Sequence, residues 1–364
     1  MMDRIVSART FAIALVALAA CSFGANPDLP KERELVLTSF VEDMLLPRYR
    51  ETLGGLDTLL TRSTQYCEDP TPGRLRDVQQ AWRVARAPWK QTELFAFGPY
   101  KDEPLRLGPK IDSWPARPDS IEALIVAEEN ITAALLAESG VFLRGFPVIE
   151  YLIFLDSDIL EFADPKRCDY LIAATIDLQA TVGQLHDAWS ADGGNYLGQL
   201  VALSGTGDFD DSLEALSEVV DRLGFTAENL HAEKLTPALG AESVSGPDKT
   251  LMESRYSANS IEDITNNLLG IEALYFGDPA QPGSLGLNDY LHFHGHDFDD
   301  ALRALLASAH AALAAIPSLE DAIDAAPEDV SDAIEALKEL QRFLQGEVTR
   351  GLDFTVGFND TDGD

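Results

Sequence analysis

Apolar residues recur along this chain every three or four positions. Leu75, Val78, Trp82, Ala85 and Trp89 mark one face of a helix from about Arg74 to Phe97. Val330, Ile334, Leu337, Leu344 and Val348 repeat the pattern behind the helix start Pro327-Glu328-Asp329. Similar stretches predict helices at about 32–66, 118–137, 147–154, 167–190, 210–231, 259–276 and 299–315. Pro47 is expected to kink or split the first, because it lacks the N–H that the helical ladder needs. Strand-like alternation bounded by Asn-Gly turns is absent, so the pattern predicts an all-α protein of bundled helices.

One segment breaks the amphipathic rule. From Arg144 to Phe154 a single carboxylate, Glu150, sits in an almost unbroken apolar run. Gly145 and Pro147 read as a turn and the first turn of a helix, where proline's missing N–H costs nothing. Apolar side chains surround that helix, so it should be buried on most sides. A carboxylate there must be protonated, bound to an arginine or hydroxyl, or holding a cation. The alternative is a first-turn glutamate favoured by the helix dipole, its head in solvent. Arg255, Tyr256, Ser257 and Ser260 offer a cation, a ring and hydroxyls ahead of a later helix, with simple N-capping as the alternative for the serines. Arg255 is one partner for Glu150; Arg83 and Arg86, on the helix with two tryptophans, are the others.

Charge narrows the function. The formal net charge is −34, from 61 acidic and 27 basic residues. This excludes a nucleic-acid binder, which needs a basic footprint, and a body lying flat on anionic lipid. The N-terminus suggests another route to a membrane. Arg4 and Arg9, the apolar stretch Phe11 to Leu18, and Leu18-Ala19-Ala20-Cys21 read as a lipoprotein signal over 1–21. Lipidation of Cys21 would tether the mature chain through residues 22–30, and Ser22 favours the outer over the inner membrane. An ordinary secretory signal is the alternative. Cys67 and Cys168 remain, either as a disulfide formed in the oxidising envelope, which is favoured, or as two separate buried thiols.

Acidic residues and Pro165 interrupt the helices at Asp156 to Lys166, which puts a domain boundary between 31–156 and 166–364. Two loops exceed simple connectors: Gly98 to Pro118, with five prolines and Trp114, and Thr236 to Thr250.

Several stretches resemble the imelysin-like proteins, a bacterial envelope family first classed as metallopeptidases and often associated with iron uptake. Gly145 and Glu150 match its Gly-x-His-x-x-Glu motif, with Pro147 at the histidine position. Trp82-Arg83-x-x-Arg86 followed by Phe97-Gly98-Pro99 resembles its second helix, and Ile111-Asp112-Ser113-Trp114-Pro115 its Trp-Pro loop. Glu253-Ser254-Arg255-Tyr256-Ser257, the run from Asn267 to Tyr275, and the tail from Gly357 resemble its C-terminal half. The resemblance implies two helical bundles packed against each other, with a site between them. It would bring Glu150 near Trp114 and Arg255; Tyr256 and Arg86 complete the candidate ligand-binding set.

A second constellation, His292-x-His294-x-His296, holds three of the six histidines. On an extended segment they would point the same way and, alone or with Glu150, could hold iron or zinc; the alternative is loop histidines ahead of a helix. No His-Glu-x-x-His, Gly-x-Ser-x-Gly or phosphate-binding loop occurs. The favoured function is therefore an envelope lipoprotein that holds a metal, a metal complex or a partner alongside envelope iron-uptake proteins. A metallopeptidase needs three ligands and a base, so with Pro147 in the motif Glu150 would require remote help from His292 to His296. A scaffold without a small-molecule site is the third reading.

Overall fold

A computed structural model describes residues 29–155, 165–202, 208–240 and 244–352. The signal segment with Cys21, most of the tether, most of the expected boundary and the tail from Gly357 lie outside the described residues. Among those described, every regular element is helical and none is a strand. No single helix there is long and apolar enough to cross a membrane.

The first helix, α1 (Leu29–Ser39), passes through a π-helical stretch at Phe40–Leu45 into α2 (Leu46–Glu68). Pro47 thus stands in the first turn of α2, just after the widened winding. Helical winding therefore runs on through Pro47, which does not split the chain into two separate helices as one alternative expected. Next, α3 (Pro72–Lys90) starts on Thr71, whose side chain accepts the Arg74 N–H. It ends seven residues before Phe97 because the freed carbonyls find other donors. The Thr92 hydroxyl donates to Trp89 at 2.7 Å, and the Asn267 amide, from the other bundle, donates to Lys90 at 2.6 Å. The helix expected at 118–137 is two, Pro118–Ala127 and Ala133–Ala137, the second capped by Thr132.

The N-terminal bundle is completed by α4 (Phe146–Phe154) and α5 (Pro165–Trp189). Here α2 packs on both α3 and α5, with α4 against α3 and α5. Cys67 and Cys168 are disulfide-bonded, Cα atoms 5.6 Å apart, riveting α5 to α2. By packing, α5 therefore sits with the helices before the expected boundary at 156–166.

The second bundle comprises α6 (Ser212–Ala232), α7 (Ser260–Phe276), the short α8 (Leu287–Phe293), α9 (Asp299–Ala314) and α10 (Pro327–Phe343). Val330, Ile334, Leu337, Leu344 and Val348 are all buried, so this apolar stripe faces the core as its spacing predicts. The bundles meet where α3 crosses α7, while α1 lies on α6 and α8. At the crossing a Cβ on Gly270 would stand 2.4 Å from the Gln91 carbonyl oxygen. Only glycine allows so close an approach.

Candidate functional site

Arg86 and Lys90 lie one turn apart on α3, beside the buried stripe of Val78, Trp82 and Trp89, and face the second bundle. Neither could enter that interface unpaired. The Arg86 guanidinium meets three carboxylates: Asp263 through Nε at 2.9 Å, Asp112 through Nη1 at 3.2 Å and Glu253 through Nη2 at 2.9 Å. Lys90 Nζ lies 2.6 Å from Glu253 and 3.5 Å from Asp112, and also contacts Glu93. Lys234 bonds Glu93 and Asn267, each at 2.8 Å, and pairs with Glu253 at 2.9 Å. The Trp89 indole donates to Asp112 at 3.0 Å.

Burial opposes ionisation of Glu253, yet Lys234, Lys90 and Arg86 together hold its pKa well below the usual carboxylate range. Burial also works against the charge on Lys90, but Glu253, Glu93 and Asp112 raise its pKa well above normal. Asp263 goes the other way: burial pushes it up, against the pull of Arg86. The seam is thus a network of neutralised charge.

The donor set bears directly on metal binding. Oxygens of Glu93, Asp112 and Glu253 lie within 4.8 Å of one another, spacing that suits a cation. The Lys90 ammonium already contacts all three carboxylates. With Lys90 charged, these residues do not fit a metal ion.

Glu150, in the first turns of α4, is 3% exposed. Its Oε1 accepts both the Ser257 N–H and the Ser257 hydroxyl at 2.8 Å. Burial pushes its pKa up to about 7, against those two bonds and the attraction of Arg86. Arg83 steadies the same loop by donating to the Ser257 carbonyl at 3.0 Å. Arg255 does not pair with Glu150: its guanidinium lies 4.5 Å from the centre of the Tyr256 ring. Tyr256 in turn packs edge-on against Tyr151. Gly145, at φ +83°, brings the start of α4 onto the Trp-Pro loop, since a Cβ there would sit 2.3 Å from the Ile111 carbonyl oxygen.

Trp114 lines a cleft whose walls do not include Glu150. This cleft, of about 190 Å³, is walled also by Tyr100, Thr226 and Asn229, includes Glu93 and Lys234, and so reaches the edge of the charge network.

The three histidines do not converge. His292 lies in α8, His294 caps its C-terminus and His296 follows in the turn. His294 packs against the Tyr290 ring and His296 lies parallel to Phe298. His292 alone faces carboxylates, those of Asp297 and Asp299.

The sequence pattern did not single out Lys90, Glu93, Asp112, Lys234, Glu253, Asp263 or Asn267 as a site. A usable signal existed for Arg86 and Lys90, cations at i and i+4 beside an apolar stripe. Asp112 and Glu253 lie in stretches that carry the family resemblance, whereas Glu93 and Asp263 carry no such mark among 61 acidic residues.

Two helical bundles closing on a buried, ion-paired seam, with a small polar cleft at its edge, define the class of all-α two-bundle proteins. The chain belongs to the imelysin family: the family profile described as Imelysin matches residues 45–344. Iron-regulated protein A of Synechococcus elongatus is 28% identical over 257 residues, covering 68% of this chain and 67% of that protein. A crystal structure described as an iron-regulated protein A precursor from Parabacteroides distasonis aligns with a TM-score of 0.74 at 23% identity, covering 91% of this chain and 97% of its own. An imelysin-like protein from Psychrobacter arcticum aligns with a TM-score of 0.74 at 20% identity, covering 90% and 98%. These two likenesses establish the fold.

Proposed function

We propose that this protein is a cell-envelope lipoprotein, anchored through Cys21, that serves iron acquisition by binding rather than by cleaving. Its ligand is a small iron complex, taken into the cleft at Glu93, Trp114 and Lys234. The observation that carries this reading is the position of Lys90 among Glu93, Asp112 and Glu253. It neutralises the carboxylates that would otherwise take a bare ion, which leaves the cleft to a ligand bringing its own oxygen donors. Asn229 can meet carboxylate or hydroxyl groups of such a complex, and Trp114 can cover its organic face. Iron regulation is in the names of the Synechococcus and Parabacteroides proteins, and here it supports the iron link. A metallopeptidase finds less support: Pro147 replaces the motif histidine, and the hydrogen bonds to Glu150 come from Ser257.

Trp82, Trp89 and Trp189 are fully buried while Trp114 is partly exposed, so tryptophan fluorescence reports on the cleft. Ferric citrate titrated into residues 22–364 is expected to quench it saturably. Trp114→Phe should abolish the quench, and Asn229→Leu should weaken binding about 10-fold, as for loss of one hydrogen bond to a charged ligand. Linear, non-saturating quenching that is equal in all three proteins would sink the binding reading. Cys21→Ala should release the full-length protein from the membrane fraction, and retention would contradict the anchor.

A further inference from the structure

Away from the seam, the turn joining α8 to α9 gathers a second set of donors. His292 Nε2 stands 3.5 Å from Asp297 Oδ1 and 3.4 Å from Asp299 Oδ1. These three atoms lie within 4.8 Å of one another. Asp299 is held in place, its Oδ2 accepting the Asn288 amide at 3.1 Å. Its Oδ1 is buried with no hydrogen-bond donor, and so is Asn288 Oδ1.

Tyr275 of α7, whose backbone carbonyl abuts Gly286 at the start of α8, is 0% exposed and has a hydroxyl with no hydrogen-bond partner. Burial first, and then the charges of Asp299 and Asp297, push its pKa above the ordinary phenol value. The hydroxyl is therefore within electrostatic reach of both carboxylates. A buried phenol without a partner is destabilising, and so are carboxylate and amide oxygens buried without a hydrogen-bond donor. A shared ion would relieve these costs together.

We infer that His292, Asp297 and Asp299 form a binding site for a divalent transition-metal ion, with Asn288 bracing Asp299. The ion takes the imidazole nitrogen and the two carboxylate oxygens, and water completes its shell. One imidazole with two carboxylates suits Zn²⁺, Fe²⁺ or Mn²⁺ better than Ca²⁺ or Mg²⁺, which prefer oxygen alone. The His292 and Asp297 side chains are 41% and 78% exposed, so the site loads directly from solvent. It shares no residue with the interbundle cleft, and either can fail without the other.

The test is calorimetric titration of untagged residues 22–364 with Zn²⁺ in excess Mg²⁺, which occupies the general acidic surface. Co²⁺ serves as an absorbing probe of the imidazole ligand. One equivalent is expected to bind, and to raise the Tm of the wild-type protein. His292→Ala and Asp299→Asn should each weaken binding about 10- to 100-fold, the scale set by disturbing even the outer ligands of a metal site. His310→Ala, which removes an imidazole paired with Glu272 elsewhere, should leave binding unchanged. No saturable binding in excess Mg²⁺ would overturn the inference. Binding that survives both His292→Ala and Asp299→Asn would overturn it equally.

Discussion

Replacing Glu150 by Gln isolates the energetics of a buried carboxyl group. Gln retains the oxygen that accepts the Ser257 N–H and hydroxyl and removes only the ionisation. The native pKa of Glu150 is pushed from 4.5 up to about 7. Below pH 4.5 the group is protonated in both the folded and unfolded chain. As pH rises through 7 the folded protein must also ionise it, in a site that disfavours charge. The stability that Glu150 contributes is thus present in acid and lost across this window. A shift of this size corresponds to about 3 kcal/mol, or roughly 5 °C in Tm for a chain of this length. Thermal melts of wild type and Glu150→Gln should therefore nearly coincide at about pH 4 and diverge in favour of Gln by about pH 8. The acidic surface also destabilises the fold as pH rises, but equally in both proteins, so the difference removes it. A difference that stays constant with pH would refute the argument. One that increasingly favours Glu would show that a cation pairs with the ionised group.

Lys90→Met leaves Glu93, Asp112 and Glu253 facing one another and should cost about 3–5 kcal/mol; Mn²⁺ should recover part of the lost Tm in the variant and not at this site in the wild type. An unchanged melt would show that Lys90 is not the balancing charge. Removing the disulfide with Cys67→Ala and Cys168→Ala opens a link spanning 101 residues and should cost about 4–5 kcal/mol in the chain-entropy model. Equal denaturant midpoints with and without it would contradict this. Gly270→Ala drives a methyl group into the Gln91 carbonyl and should cost about 1–3 kcal/mol. Gly183→Ala on α5, where a Cβ meets nothing within 4 Å, should gain up to about 1 kcal/mol. Similar melts for the two alanine variants would refute the close α3–α7 contact.

Helix class and buried faces were legible because they depend on periodicity within one segment. The stripes of α3 and α10 point where their spacing directs them. Where local reading failed, something distant had intervened. The C-terminus of α3 is set by Asn267, 177 residues away from Lys90. His292, His294 and His296 diverge because the chain stays helical through the first of them, and residues two apart on a helix differ by about 200°. Glu150 stood out as a lone carboxylate in an apolar run, but its partner Ser257 lies 107 residues on. Nothing local chooses that serine over Arg255.

Sequence alone determined the all-α class, the strongly acidic composition, the faces that turn inward and the carboxylate that had to be accounted for. Only the tertiary structure decided which of the many charges are neutralised and by what. Hydrophobic burial follows the identity of neighbours three and four residues apart, whereas Coulomb pairing depends on distances of a few ångströms between residues far apart in the chain. Arg86 and Lys90 on α3 meet Asp263 and Asn267 on α7 because the two helices cross at a glycine. Glu253, just before α7, joins them to Lys234.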